Sequence, residues 1–335
     1  MDGITDSAYR RLVRSFAADV VLFSEFTSAD GFLRSERVRQ RLAFAPEEHP
    51  YFVQLFGNDP QAFREAALAL EQQGVAGVDV NMGCPARKIV HSQHGSGLMR
   101  DVNQACRIVE AIANACRVEV SVKTRLGWNS PEGLVPFASS LVDAGASLLT
   151  IHGRTYDQAF RGQADWEPIY ALKRRLSVPV LGNGDVQSRS DGLARLGNLD
   201  GFMIGRAAIG NPWAFLPGTG QGTAHGAGAG SGAAAATAPG ASAPSARERV
   251  AVILRHYALM REERPERQAL IEIRRHLVGY LRGFQLARQA RRTLLEIDTE
   301  ATLKERLLAL AEHPGHLAAL AEAPAEAGAD LAKAS

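Results

Sequence analysis

The segment Asn81-Met82-Gly83-Cys84-Pro85 closes an apolar, β-branched run, Val75 to Val80, and sets one thiol between Gly83 and Pro85. Those neighbours fix the backbone around a group that can donate a proton or attack as a nucleophile. Other apolar runs also carry polar residues at their ends. Gln54 interrupts Phe52-Val53-Gln54-Leu55, Lys123 and Arg125 end Val118 to Lys123, and His152 and Arg154 end Leu148 to Ile151. Asn183 and Asp185 follow Leu181, and Arg206 follows Ile204. A lysine on an otherwise apolar run needs an anion beside it or a path for its head group to water. The loops Gly182-Asn183-Gly184-Asp185 and Gly205-Arg206 have little side chain and expose backbone N–H groups, which suits phosphate. One Lys, one His, one thiol, several amides and a phosphate loop fit a phosphorylated planar cofactor. FMN is the natural candidate, with Lys123 stabilising the negative charge of its reduced ring.

The elements that must position these residues alternate along the chain. Strands are expected at Val20 to Phe26, Tyr51 to Phe56, Val75 to Val80, Val118 to Lys123, Leu148 to His152, Val178 to Leu181 and Gly201 to Ile204. Helix signals fall between them: Asp59-Pro60, Asp101 before Val102 to Ala115, Ser130-Pro131 before Glu132 to Ala144, and Ser188 before Ser190 to Leu196. Repeated β/α units of this kind predict a TIM (β/α)8 barrel with its chemistry at the C-terminal ends of the strands. A doubly wound sheet would carry G-x-G-x-x-G after its first strand, and none opens this chain. The helix expected at Asp6 to Phe16 has no strand before it. The first barrel strand therefore reads as truncated, with a segment of about five to ten residues, one ordinary strand, expected upstream.

After the barrel, expected over residues 1–216, the texture changes. Residues 217–246 are nearly all Gly, Ala, Ser, Thr and Pro and read as a flexible linker. A small all-α bundle is expected over 247–312, with Val250, Ile253, Leu254 and Tyr257 on one face and Leu270, Ile273, Leu277, Leu281 and Phe284 on another. Residues 313–335 read as a frayed tail. The net charge of +2 announces no nucleic acid, yet charge is segregated: Arg247 to Arg292 holds twelve arginines against five glutamates. Arg275, Arg282, Arg288 and Arg292 fall at spacings that suit phosphate contacts along helices.

Cys84, Cys106 and Cys116 are odd in number and lack ligand spacing, so neither a disulfide framework nor a metal site is expected, and a reducing cytoplasm fits. No run of about 18 apolar residues occurs, so no membrane span is expected. A monomer is expected.

Several segments together resemble the tRNA-dihydrouridine synthases: Met1 to Asp6, Gln54-Leu55-Phe56-Gly57, Asn81 to Pro85, Gly95 to Met99, Val122 to Trp128, Ile151 to Thr155, Gly182 to Asp185 and Ile204 to Arg206. The resemblance covers Met1 to about Leu216 closely and Arg247 to about Leu310 more loosely. It implies FMN held by Gln54, Lys123, His152, Asn183, Gly184, Asp185, Gly205 and Arg206, with Met1 and Asp2 beside it. It also implies substrate contacts from Asn81 and Arg154, tRNA as partner, NADPH as reductant, hydride delivery to C6 of a uracil, and Cys84 as proton donor to C5. The basic bundle would hold the RNA while the target base enters the barrel. Where the family often has Tyr, this chain aligns Phe160. Two alternatives stay open on the residues alone: another FMN barrel acting on a small enone or free pyrimidine, and a non-catalytic RNA-binding derivative.

Overall fold

A computed structural model describes residues 3–217, 244–282 and 296–312. The chain divides into two compact units, Met1–Ser242 and Ala243–Ser335.

The first unit is one parallel sheet wrapped by helices. Its strands are β1 (Leu22–Phe23), β2 (Thr27–Ser28), β3 (Tyr51–Phe56), β4 (Gly77–Asn81), β5 (Glu119–Arg125), β6 (Leu148–His152), β7 (Val180–Asn183) and β8 (Gly201–Met203). The order is β1-β3-β4-β5-β6-β7-β8, with β2 also on β3, and every pairing is parallel. A doubly wound sheet reverses its order at a switch point, whereas this one advances strand by strand in a single direction, the winding of a TIM barrel. Among the described residues, no pairing joins β8 to β1.

Of the strand expected at Val20 to Phe26 only Leu22–Phe23 forms, and a second short stretch, Thr27–Ser28, follows beyond it. Leu22 lies opposite Tyr51 but Thr27 opposite Leu55, so five steps on one side face four on the other. The extra residue is a bulge. It frees the Ser24 hydroxyl to accept from the Gln54 N–H at 2.8 Å. β3 and β6 keep their expected bounds, while β4, β5, β7 and β8 differ from theirs by one or two residues, with β4 and β7 carrying on into Asn81 and Asn183. Polar side chains can continue these strands because they face one another across the sheet.

The connecting helices start where capping residues stand. Asp6 caps α1 (Ser7–Phe16), Asp59 with Pro60 opens α4 (Pro60–Gln72), Asp101 caps α6 (Val102–Ala113) and Ser188 caps α9 (Arg189–Ala194). The helix expected from Glu132 begins only at Leu134 (α7, Leu134–Asp143), after a turn at Pro131 to Gly133. Four further helices form outside the expected set: α2 (Ala29–Arg34), which Ser28 caps, α3 (Glu36–Arg41), α5 (Arg87–His91) and α8 (Glu167–Lys173). The apolar face of the sheet, with Val53, Leu55, Val78, Val80, Val122, Leu149 and Ile151 all fully buried, packs beneath this layer.

The second unit holds α10 (Ala246–Glu263), α11 (Glu266–Tyr280) and α12 (Glu300–Glu312). The α10 helix starts one residue inside the segment expected to be linker, because Ser245 and Glu248 form a reciprocal capping box. Val250, Ile253, Tyr257, Leu270, Ile273, Leu277 and Leu281 are buried as their spacing implies, while Leu254 is only half-buried and Phe284 lies outside the described residues. No described helix is long and apolar enough to cross a membrane.

Candidate active site

Strand alternation builds the site. In β4, Val78 and Val80 face the helices, so Asp79 and Asn81 share the opposite face. Register carries that face across the sheet: Gln54, Asp79 and Ser121 form one row, Asn81, Lys123 and Thr150 the next, and Arg125, His152 and Asn183 a third nearer the strand ends. A layer of polar side chains thus climbs to the C-terminal mouth of the sheet.

The Cys84 loop leaves β4 at that mouth and is held on every side. Asn81 Oδ1 accepts from the backbone N–H of Gly83 at 3.2 Å and of Cys84 at 2.9 Å. The Gly83 carbonyl accepts from Arg125 Nε at 2.7 Å, and the Cys84 carbonyl from the Ser96 N–H at 3.1 Å. Gly95, at φ +55°, lies so close that a Cβ there would meet the Cys84 carbonyl oxygen at 3.0 Å and Cys84 Cβ at 3.2 Å. Cys84 itself is half-buried and has electrostatic contact with Lys123 and Arg125.

Lys123 donates to Asn183 Oδ1 at 3.1 Å, and Asn183 Nδ2 donates to the Met203 carbonyl at 2.8 Å, which ties β5, β7 and β8 together. Burial drags the Lys123 ammonium down to about 8, with Asp79 pulling the other way. It remains mostly charged at neutral pH, and among the described residues no carboxylate forms an ion pair with it, Asp79 acting only at longer range. His152, buried and beside Lys123, Arg125 and Arg154, is pushed down to about 2, first by desolvation and then by those cations. Its imidazole is therefore neutral. Arginine only donates, so the 3.4 Å contact from Arg154 makes His152 Nε2 the acceptor and leaves the proton on Nδ1.

The loop after β7 presents backbone donors at the same mouth. Gly184 at φ +118° and Asp185 at φ +59° are both left-handed, and no described residue accepts from the N–H groups of Gly184, Asp185, Gly205 or Arg206. A Cβ on Gly184 would strike His152 Cδ2 at 2.8 Å and Ala164 Cβ at 2.7 Å, so only glycine fits. Arg206 is exposed at the same place.

Two of the expected contact residues have another use. Arg154 was expected to reach substrate, yet all five of its N–H groups point at protein: Asp185 Oδ1 at 2.9 Å and Oδ2 at 2.7 Å, the Arg161 carbonyl at 3.1 Å, the Gly162 carbonyl at 2.5 Å and His152. It is buried at 2% exposure. The Asp185 carboxylate, expected at the cofactor, accepts from Arg154, Arg206 and the Ala164 N–H. Burial alone would raise its pKa, but these hydrogen bonds outweigh it and hold the group below the usual range. The pair is a brace that commits the Asp185 side chain to protein partners while its backbone stays left-handed.

The structure also brings in residues that the reading of strand ends missed. Asp79 is fully buried beneath Gln54, and desolvation raises it to about 6 against hydrogen bonds from Ser121 and Gln54. The alternation Val78-Asp79-Val80-Asn81, set beside Val120-Ser121-Val122-Lys123, was the available signal. Arg125 is 2% exposed and donates to the Thr155 and Ala159 carbonyls as well as to Gly83, joining the loop after β6 to the Cys84 loop. Phe160 is exposed at the mouth, its ring flanked by the guanidinium groups of Arg125 at 5.4 Å and Arg206 at 5.0 Å.

In the helical unit the arginine excess is partly structural. Arg249 holds the Pro244, Tyr280 and Arg282 carbonyls, Arg261 pairs with Glu300, Arg264 with Glu263 and Glu272, and Arg274 donates to the Ile297 carbonyl. Arg275 and Arg282 are exposed. Met1, Asp2, Arg288 and Arg292 lie outside the described residues. Among the described residues, no group of three or more His, Cys, Asp or Glu is placed to hold a metal ion.

The model of the family described as dihydrouridine synthase (Dus) matches residues 1–313. A Synechocystis sp. protein named "Probable tRNA-dihydrouridine synthase 1" is 36% identical over 310 residues, 92% of this chain and 83% of that one. A Rickettsia bellii protein named "Probable tRNA-dihydrouridine synthase" is 30% identical over 312 residues, 92% of each chain. Among solved structures, morphinone reductase aligns with 63% of this chain and 80% of its own at 13% identity and a TM-score of 0.43. With a matching family model across nearly its whole length and relatives of that identity and coverage, the chain belongs to the dihydrouridine synthase family.

Proposed function

We propose that this chain is an FMN-dependent tRNA-dihydrouridine synthase that saturates the C5–C6 bond of a uridine in tRNA with NADPH as reductant. The observation that carries the reading is the Cys84 loop, fixed by Asn81 and Arg125 at the same strand-end mouth as the buried cation Lys123 and the neutral His152.

The residues present fit FMN. The uncommitted N–H groups of Gly184, Asp185, Gly205 and Arg206, with the Arg206 side chain, suit its phosphate. Lys123, incompletely compensated by Asp79, suits an electron-rich ring edge, and Gln54, Asn183 and the His152 Nδ1–H offer polar contacts beside it. When bound, FMN reduced by NADPH supplies the hydride for C6 of the uracil.

The protein's own part is proton delivery and placement. Cys84 gives its Sγ proton to C5 as the ring takes up hydride, and solvent returns a proton to Sγ after product leaves. Asn81 contacts the uracil, while Lys123 and the His152 Nδ1–H offset charge that develops on its carbonyl oxygens. The exposed arginines Arg275 and Arg282, with Arg288 and Arg292, contact tRNA phosphates. The barrel supplies the chemistry and the basic unit the affinity.

The test is direct. Purified protein should carry a flavin spectrum and, with NADPH, form dihydrouridine in tRNA taken from a strain that lacks it, measured by mass spectrometry of nucleosides. A colourless protein, or a flavin-loaded one that reduces free pyrimidines or enones but not tRNA, would overturn the reading.

A further inference from the structure

Asp79 is fully buried on β4, one row below the reacting groups, and the chemistry above does not use it. Its carboxylate begins a continuous run of hydrogen bonds. Ser121 Oγ donates to Asp79 Oδ1 at 2.5 Å and Gln54 Nε2 to Asp79 Oδ2 at 2.6 Å. Asn81 Nδ2 donates to Gln54 Oε1 at 2.8 Å, and the Gly83 and Cys84 N–H groups donate to Asn81 Oδ1.

The two ends of this run leave no freedom in the middle. An ionised carboxylate only accepts, so Gln54 must turn its NH2 group downward and its carbonyl toward Asn81. Two backbone N–H groups only donate, so Asn81 must turn its carbonyl toward the Cys84 loop and its NH2 group toward Gln54. Flipping either amide would set donor against donor or acceptor against acceptor inside a buried site, at the cost of unsatisfied polar groups. Only one arrangement satisfies every member.

We propose that Asp79 is a positioning residue: acting through Gln54, it fixes the amide of Asn81, which holds the Cys84 loop and presents one remaining N–H as a donor. No described residue accepts that second N–H. Resting on the reading that Asn81 meets the substrate base, this N–H can be satisfied only by an acceptor on the base. Uracil offers such an acceptor at both C2 and C4. Asp79 is thus tied to the orientation of the Asn81 amide as well as to the placement of the thiol.

Three variants separate this role from simple core packing. Asp79→Asn keeps an acceptor for Gln54 and can donate to Ser121 in place of accepting from it. Asp79→Val keeps similar bulk and removes the acceptor. Gln54→Met cuts the run one bond further on. Each is compared with wild type as the purified, flavin-loaded protein in three assays: the rate at which iodoacetamide alkylates Cys84, resolved from Cys106 and Cys116 by peptide mass spectrometry, dihydrouridine formed per bound flavin, and bleaching of the bound flavin by NADPH.

Loss of register of about 1 Å at a reacting group costs on the order of 10²-fold. Asp79→Val and Gln54→Met should therefore lose about 10²-fold in tRNA reduction and change Cys84 alkylation at least about fivefold, while bleaching of the bound flavin of Asp79→Val by NADPH stays within about threefold. Asp79→Asn should stay within about threefold of wild type in all three. An Asp79→Val protein with wild-type alkylation and turnover, or an Asp79→Asn protein as impaired as Asp79→Val, would overturn the proposal. If Asp79→Val does not fold, unchanged Cys84 alkylation in Gln54→Met overturns it equally. The alkylation series decides the point even where wild type proves to have another substrate, so the two readings fail separately.

Discussion

Replacing Lys123 by Met should make the flavin-free protein more stable at neutral pH while abolishing its hold on the cofactor. The Lys123 pKa falls from 10.5 to about 8 because burial penalises its charged form. At about 1.4 kcal/mol per pH unit, that penalty is roughly 3 kcal/mol whenever both folded and unfolded chains are protonated. The sign follows from proton counting: between pH 8 and 10.5 the unfolded chain binds more protons than the folded one, so wild-type stability rises with pH across this window. Methionine has a similar shape and no charge to desolvate. Against the gain stand the lost hydrogen bond to Asn183, worth about 1 kcal/mol, and an Asp79 carboxylate deprived of its nearby cation. The net gain expected at pH 7 is about 1 to 2 kcal/mol. Its pH dependence is the sharper test, since the advantage of Met should shrink by about 2 kcal/mol between pH 7 and pH 9.5 as wild type sheds the proton. Urea titration followed by tryptophan fluorescence reads this unit alone, because Trp128, Trp166 and Trp213 all lie within Met1–Ser242. An advantage that is equal at both pH values, or a variant that retains flavin like wild type, would refute a strained, anion-seeking lysine.

Cys84→Ala should keep its flavin and its reduction by NADPH but lose about 10² to 10⁴ in dihydrouridine formation, because only the proton donor is removed; stopped-flow flavin bleaching and nucleoside mass spectrometry separate the two half-reactions. Replacing Arg275, Arg282, Arg288 and Arg292 together by Ala should weaken tRNA binding and flatten its salt dependence, each lost phosphate contact removing about one unit from the log–log slope; an unchanged slope in filter binding would place the RNA elsewhere. Arg154→Lys should cost about 3 kcal/mol or more and weaken flavin binding, because a single ammonium cannot replace the fork that holds Asp185 and two loop carbonyls. Wild-type urea midpoint and flavin content in that variant would show that the brace is dispensable.

Much of this protein could be read from local order in the sequence. Apolar runs that alternate with capped helical segments determine parallel β/α units, because a strand buried on both faces needs a helix on one of them and a crossover to reach its neighbour. The capping residues Asp6, Asp59, Asp101 and Ser188 therefore fall where helices begin. The polar residues ending those runs, Cys84, Lys123, His152 and Asn183, are legible for the same reason, since a polar group on a core strand is costly unless it has work at the strand end. What each residue does once there depends on partners distant in sequence. Arg154 and Arg206 look alike in the chain, but the 31-residue separation between Arg154 and Asp185 closes into a buried ion pair while Arg206 stays exposed. Asp79 is inconspicuous until register places Gln54 and Ser121 on either side of it. Likewise the arginines of α10 and α11 share one composition, and only the packing of the helices separates Arg249, Arg261, Arg264 and Arg274, which hold the unit together, from Arg275 and Arg282 at its surface. Periodicity is a property of neighbouring residues and survives in the sequence, whereas the pairing of a buried charge is decided by which strands and loops the fold brings within about 3 Å of it.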